Sequence, residues 1–175
     1  WRPVTDRSEA GYVGAIGTKT YNTHLHLLES MASLHRVWPE ATVRARLEEL
    51  VRINTLTVRH PNHPCNIDGW RPDWRMVDSP ENLRASYGHD VECLWLTLDA
   101  VRTLGLSEVP FRGWAEALAT YSVTHGYDAT HGGFFYTGPL GAPAGGTEKE
   151  WGGAGRGPGA DASATADRPS RTPST

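Results

Sequence analysis

The chain has 175 residues, 38% of them hydrophobic, and a formal net charge of −3 at pH 7. This length allows one domain with a hydrophobic core, and the scattered basic residues indicate no nucleic-acid surface. No run of about 18 apolar residues suggests a membrane span. Two cysteines are too few for a disulfide framework, and no signal peptide is recognisable. We therefore expect a cytoplasmic protein and, because it begins with Trp1, a fragment of a longer one.

The first predicted helix spans residues 22–37, where apolar residues recur at helical spacing. Asn22 or Thr23 is placed to cap it. Asn22, His26 and Glu29 lie at i, i+4 and i+7, so they share one face of the helix. Buried polar groups need partners, so this face meets either other side chains or a solvent-filled cavity.

A second helix, residues 40–56, has one apolar stripe and one charged face, as an outer amphipathic helix does. Residues 59–85 then form a long, proline-rich connection that carries Trp70 and Trp74. Connections of this length are usually functional or disordered, and two tryptophans argue against disorder. The sequence leaves open whether the two rings pack within the loop or stack on a ligand.

The third predicted helix, residues 89–104, resembles the first, since it also carries a His and a Glu on one face. Ser86 or Gly88 occupies its capping position. His89 and Glu92 share one face, and Trp95 borders it. Two helices that each carry a His and a Glu on an inward face predict a shared pocket.

The connections alternate between short and long. A short link leads to a fourth helix, residues 111–124, and a long connection, residues 126–147, follows with a short strand predicted over 132–136. A fifth helix is predicted to begin near residue 148. Short links join antiparallel pairs, so the long loops gather at one end, where four aromatic residues would roof the pocket: Trp70, Trp74, Phe134 and Tyr136. Repeated inner and outer helices of this kind predict an all-α toroid.

Residues 152–175 break the pattern, because they contain no Leu, Ile, Val, Phe, Tyr, Trp or Met. Such a composition cannot bury a core, so we expect a disordered tail. The predicted organisation is a structured domain, residues 1–151, followed by this tail. The change in composition at residue 152 is abrupt. Codons can also be chosen for residues 152–160 that encode a helical, family-like sequence when read one base later. Both observations favour a shifted reading frame as the origin of the tail.

Four motifs occur in order: Asn-Thr-His-Leu-His-Leu-Leu-Glu at 22–29, Ser-Tyr-Gly-His-Asp-Val-Glu at 86–92, Gly-Gly-Phe-Phe-Tyr at 132–136, and Lys-Glu-Trp at 149–151. Together they resemble the N-acylglucosamine 2-epimerase superfamily, and most closely its cellobiose 2-epimerase branch. The resemblance covers about residues 12–151. It implies a partial (α/α)6 barrel that is incomplete at both ends.

The resemblance also implies residue roles. His89 resembles a catalytic general acid/base, with Glu92 as its partner on the same face. Five further residues resemble parts of the family's sugar site: Asn22, His26, Glu29, Trp95 and Trp151. Trp70 and Trp74 are added as candidate substrate contacts from their loop position alone. The family's second Trp, the Glu after it, its C-terminal catalytic His and an N-terminal Arg have no match here, so we expect this chain to be inactive by itself.

The implied chemistry is proton transfer at C2 of a reducing mono- or disaccharide. A base removes the acidic C2 proton to give an enediolate, and a second group returns a proton to the other face. Imidazole suits both steps because its ordinary pKa is about 6.5, and no cofactor is expected. A metal is not predicted either, because His24 and His26 diverge on a helix and the group His60, His63 and Cys65 lacks a second ligand pair.

Three alternatives stay open. An aldose–ketose isomerase uses the same enediolate. A glycoside hydrolase needs two opposed carboxylates, for which Glu29 and Glu92 are the candidates. The fragment could also bind sugar without catalysis.

Overall fold

A computed structural model describes residues 17–149. Within them lie four α-helices: α1 Tyr21–Val37, α2 Ala41–Arg52, α3 Tyr87–Thr103 and α4 Arg112–Gly126. A π-helical turn, Ile53–Thr57, extends α2, and a 3-10 turn, Val109–Phe111, precedes α4. Four short strands are present: β1 Lys19–Thr20, β2 Gly69–Trp70, β3 Arg84–Ser86 and β4 Thr137–Pro139. They form two antiparallel pairs, β1–β2 and β3–β4, so this part of the protein is mostly helical with two small sheets.

The first helix begins and ends close to the predicted positions, but its cap is a different residue. Thr20 is extended, and its Oγ1 accepts a hydrogen bond of 3.2 Å from the backbone N–H of Thr23. The prediction of Asn22 or Thr23 as the cap was wrong because β1 carries the chain in extended form up to Thr20. Asn22 is therefore already helical, and its side chain is not needed for capping.

Helices α1 and α3 run side by side in the same direction. Asn22 contacts His89 where both helices begin, and Arg36 forms an ion pair with Asp99 near their other ends. Helix α2 runs in the opposite direction. This is shown by Asn54, just beyond the end of α2, whose Nδ2 donates to the carbonyl of His24, near the start of α1, over 3.3 Å. The predicted antiparallel pairing of the first two helices is confirmed.

The long connections lie at the end of the molecule where α1 and α3 begin. The backbone N–H of Tyr21 donates to the carbonyl of Asp68 over 2.8 Å. The connection after α4 contains β4, which pairs with β3, and β3 leads directly into α3. The arrangement expected from the alternating connection lengths is therefore confirmed.

The predicted strand over 132–136 is displaced to β4. Gly132 and Gly133 have positive φ angles of 73° and 77°, and Asp128 Oδ1 accepts the backbone N–H groups of Thr130 and His131. The glycines thus close a turn that Asp128 caps, and only one isolated bridge, Tyr127 to Phe134, falls inside the expected strand.

The beginning of the predicted fifth helix is not helical where the structure describes it. Residues 148 and 149 are irregular, and the carbonyl of Glu148 accepts the backbone N–H of Tyr136 over 2.8 Å. Trp151, the rest of that helix and the tail 152–175 lie outside the described residues.

The main hydrophobic core lies between α1, α2 and α3. A Leu side chain buried there contributes about 1.5–3 kcal/mol. The fully buried members include Leu25, Leu28, Leu47, Ile67, Cys93 and Val101. Burial raises the pKa of the Cys93 thiol to about 12, which disfavours the reactive thiolate and agrees with the prediction that Cys93 belongs to the core.

A smaller cluster joins α4 to the loops and to α3. Its buried members are Cys65, Ala85, Tyr87, Tyr121 and Phe134. None of the helices found within residues 17–149 has the length and apolar character needed to cross a membrane.

Candidate functional site

Two of the sequence motifs meet at the first turns of α1 and α3. The amide Nδ2 of Asn22 lies 3.0 Å from Nε2 of His89, although the residues are 67 positions apart in the chain. Both side chains are half-buried. The shared site predicted for the two helices therefore has a direct polar contact at its centre.

The other side of the His89 ring contacts the residue before its own helix. Oγ of Ser86 lies 2.8 Å from Nδ1 of His89. The hydroxyl of Tyr21 donates to the backbone carbonyl of His89 over 2.9 Å, and its ring meets the imidazole edge to face at 6.4 Å. The ring and the backbone of His89 are thus both held in place. The sequence identified Ser86 only as a possible helix cap, and nothing marked Tyr21.

The ring of His89 contacts residues outside its own helix, whereas Glu92, its predicted partner, lies on the same helix. Both ring nitrogens are taken by other residues, Asn22 and Ser86. Glu92 is 7% exposed and lies one turn further along α3. The ring of His89 therefore points toward α1 and toward the strand before α3.

His26 and Glu29 pair with each other one turn further along α1. Nδ1 of His26 is 3.1 Å from Oε2 of Glu29, and each side chain is 48% exposed. Trp95 on α3 is also exposed, at 44%. The polar face of α1 was expected to meet either other side chains or a solvent-filled cavity. Within residues 17–149 its side chains have side-chain partners and lie on a surface that is open to solvent.

Trp70, one of the two loop tryptophans, packs in the core. The side chain is 5% exposed and belongs to the main hydrophobic cluster. Its Nε1–H donates to the carbonyl of Ile67 over 2.6 Å. Phe134 is likewise buried in the smaller cluster. Of the two roles open to Trp70, packing within the loop is the one observed.

Trp74 remains partly exposed but has protein neighbours. Its ring meets the ring of His24 at 4.9 Å, and Nζ of Lys19 lies 4.0 Å from the ring centre. The residue has a positive φ of 66°, which is unusual for a bulky side chain. Trp74 therefore packs against the first turns of α1 through its contact with His24.

Behind His89 lies a buried carboxyl group that the sequence did not single out. Asp90 is fully buried, and both its carboxyl oxygens face the backbone N–H of Asn66 at 3.3 and 3.4 Å. Burial raises the pKa of Asp90 well above its ordinary value. An Asp in a first helical turn is usually explained by the helix dipole, so the pattern alone does not indicate burial.

The histidine-rich loop forms a turn. Nδ1 of His60 accepts the backbone N–H groups of Asn62 and His63, each over 3.1 Å. Burial raises the pKa of the Cys65 thiol to about 12, which disfavours the thiolate that a metal would need. Among residues 17–149, no three His, Cys, Asp or Glu side chains gather to hold a metal ion.

The arrangement as a whole suits acid–base chemistry on a polar small molecule. An imidazole with both nitrogens engaged lies beside an amide, and a second His and a carboxyl group lie on the same exposed face. Imidazole is the side chain that most often serves as a general acid or base.

Comparison with known proteins finds similarity to sugar epimerases. A cellobiose 2-epimerase of Bacteroides fragilis is 35% identical over 91 residues, which are 50% of this chain and 21% of that protein. The solved structure of cellobiose 2-epimerase from Bacillus thermoamylovorans B4167 matches with a TM-score of 0.62 and 26% identity, over 76% of this chain and 32% of that one. A sugar epimerase from a ruminal bacterium has the same fold, with a TM-score of 0.62 and 24% identity over 79% and 34%. No family model matches.

The chain thus spans about a fifth of the length of the curated relative and about a third of the solved structures. Over the part that they cover, these matches support its assignment to the N-acylglucosamine 2-epimerase-like family. This is the family that the four motifs predicted.

Proposed function

We propose that residues 17–149 form part of an (α/α)6 barrel and carry one half of the site of a sugar 2-epimerase. The observation that supports this most strongly is the contact of 3.0 Å between Asn22 and His89, which joins two family motifs on one open face. The parallel course of α1 and α3 suits neighbouring inner helices of such a barrel. The names of the relatives, cellobiose 2-epimerases, support the substrate class.

In this proposal His89 exchanges the proton at C2 of an open-chain reducing sugar. The carbonyl at C1 acidifies the C2–H bond, His89 takes the proton, and the electron pair forms the enediolate. Return of a proton to the opposite face of C2 gives the epimer. A carboxylate near an imidazole favours the protonated ring, and this is the role we assign to Glu92.

Substrate contacts are assigned to the exposed part of the same face. Asn22, His26 and Glu29 offer an amide, an imidazole and a carboxyl group to sugar hydroxyls. The exposed indole of Trp95 offers an apolar wall to a sugar ring. We keep Trp151 as a proposed contact on the basis of its motif alone.

We further propose that the 175-residue chain binds sugar without turning it over. Epimerisation needs a second group on the opposite face of C2, and the sequence has no match to the family's C-terminal catalytic His. Loss of one proton-transfer partner typically costs about 10²–10⁴ in rate. A cytoplasmic location and a reducing mono- or disaccharide as partner belong to the same proposal.

The geometry favours the epimerase over the hydrolase alternative. A glycoside hydrolase needs two carboxyl groups facing one bond, whereas Glu29 is exposed and pairs with His26, and Glu92 is buried on α3. An isomerase shares the enediolate and is distinguished by its product. A ketose would indicate an isomerase, and a released monosaccharide would indicate a hydrolase.

Calorimetric titration with cellobiose tests the proposed site. We expect Asn22→Ala to weaken binding about tenfold, the equivalent of about 1.4 kcal/mol, because one direct hydrogen-bonding group is lost. Asn62→Ala is the matched control, since it removes an exposed amide from the turn at His60, outside the motifs assigned to the sugar. Equal affinity of the two variants, or absence of binding by the folded chain, would refute the proposal.

A further inference from the structure

We propose that Ser86 is a positioning residue that fixes the tautomer of His89, so that the ring carries its proton on Nδ1 and presents Nε2 as the base. The catalytic meaning of this inference rests on the proposed function. The tautomer itself follows from the contacts around the ring and can be tested without activity.

The first argument compares the two helix caps. At α1, Thr20 does what a capping residue ordinarily does, because its Oγ1 accepts the backbone N–H of Thr23, three residues on. At α3, Ser86 occupies the same position but makes no capping hydrogen bond with its side chain. Its hydroxyl instead contacts the ring of the residue three positions on, His89, at 2.8 Å. A capping side chain usually contributes about 1 kcal/mol to stability. Because Ser86 does not make this hydrogen bond, we infer that its contact with His89 is the interaction that matters at this position.

The second argument counts the protons on the ring. Nδ2 of Asn22 carries only donor hydrogens, so Nε2 of His89, at 3.0 Å, must accept. A neutral imidazole has one N–H, which must then be on Nδ1. Nδ1–H finds its acceptor in the hydroxyl oxygen of Ser86. The two neighbours therefore specify the same tautomer from opposite sides of the ring.

The third argument is that Ser86 is itself held rigidly. It is the last residue of β3 and pairs with Thr137 of β4. The preceding pair, Ala85 with Gly138, brings Gly138 so close to the Tyr87 hydroxyl that a methyl group there would overlap it. The β3–β4 pair thus fixes the backbone of Ser86 relative to the first turn of α3, from which its hydroxyl reaches the ring of His89.

The consequence is a defined direction for the basic lone pair. With Nδ1 protonated and turned toward Ser86, Nε2 faces Asn22 and the polar face of α1. A sugar that engages the Asn22 amide would meet that lone pair. The opposite tautomer would present an N–H group there, which cannot accept the C2 proton.

Nitrogen NMR of the 175-residue chain with ¹⁵N-labelled histidine tests the inference, at a pH of about 8 where an ordinary imidazole is neutral. We expect Nδ1 of His89 to show the shift of a protonated nitrogen and Nε2 that of an unprotonated one. In Ser86→Ala the ratio of Nδ1–H to Nε2–H should fall about fivefold to tenfold, as the loss of one hydrogen bond predicts. Ser86→Thr keeps the hydroxyl and should restore the ratio.

Thr20→Ala is the matched control. It should lower the melting temperature by removing a true cap, yet leave the nitrogen shifts of His89 unchanged. Ser86→Gly, which a cap position tolerates, repeats the test if the Ala variant does not fold. An Nε2–H ring in the unaltered protein, or unchanged nitrogen shifts in folded Ser86→Ala or Ser86→Gly, would overturn the inference. Cellobiose binding that does not depend on Asn22 would overturn the proposed function instead, and the two failures are distinguishable.

Discussion

At the scale of single residues, the orientation of His89 depends on neighbours that local sequence patterns do not connect. The motifs placed both His89 and Asn22 in the site, but their contact depends on how α1 packs against α3. The contacts of Ser86 and Tyr21 with His89 were not predicted, because a Ser before a helix is most simply a cap and no local pattern around Tyr21 points to His89, 68 positions away. Trp70 illustrates the same limit, since its position in a long loop left both packing and ligand stacking open, and its indole is buried.

The buried carboxyl group of Asp90 should make stability depend on pH. Burial raises its pKa in the folded state, so the folded protein keeps a proton that the unfolded chain loses above about pH 3.9. Its contribution to stability is therefore greatest below that pH and declines as the pH rises toward the raised pKa. Asp90→Asn cannot ionise and keeps an oxygen for the N–H of Asn66. We expect this variant to gain stability relative to the unaltered protein between about pH 4 and pH 7.

Urea unfolding of both proteins at several pH values measures this gain. The matched control is Asp73→Asn, because Asp73 is exposed and hydrogen bonds from Arg75 lower its pKa. The control should show no such rise. Because the pKa of Asp73 is lowered in the folded state, removing its carboxylate should make the stability difference fall as the pH rises. A stability difference for Asp90→Asn that stays flat or falls with rising pH would show that Asp90 is ionised in the folded state.

At the scale of elements, hydrophobic periodicity located the four helices to within a few residues, because each buries one continuous stripe. The strands were harder to predict, since β4 is three residues long and is defined by its partner β3. The turn before it is set by Gly132, Gly133 and the capping carboxylate of Asp128. Consecutive aromatic residues in that region suggested a strand, but the turn determined where pairing begins.

The packing of α4 on α3 depends on the absence of a side chain at Gly126. A Cβ at this position would overlap the ring of Tyr87. We expect Gly126→Ala to lower the free energy of unfolding by about 1–3 kcal/mol, the usual cost of overpacking. Gly113 is in the same helix, but a Cβ there has no neighbour within 4 Å. Gly113→Ala should therefore stabilise the protein by up to about 1 kcal/mol, through its higher helix propensity.

Chemical denaturation of the two alanine variants provides the measurement. The contrast between them matters more than either value, because both add one methyl group to α4. Equal changes in stability would mean that α4 does not approach Tyr87 as closely as the structure shows.

At the scale of the whole molecule, the order of four motifs predicted the family, and the pattern of connection lengths predicted how the helices pair. The nature of the site was less predictable. A pocket roofed by aromatic rings was expected, whereas residues 17–149 present an open polar face with Trp70 and Phe134 buried beneath the loops. Pattern analysis identifies which residues share a helix face, but exposure depends on which other elements cover that face.

The most direct test of the central claim is a titration of the histidine-labelled 175-residue chain with cellobiose in D₂O, followed by NMR. We predict that the ring signals of His89 and His26 shift together and saturate, while those of His131, 77% exposed in the Asp128 turn, stay unchanged. We also predict that the hydrogen at C2 of the sugar is retained, as the proposal of binding without turnover requires. Unmoved His89 signals in a folded, monodisperse sample would contradict the sugar site, and entry of solvent deuterium at C2 would contradict the predicted lack of turnover.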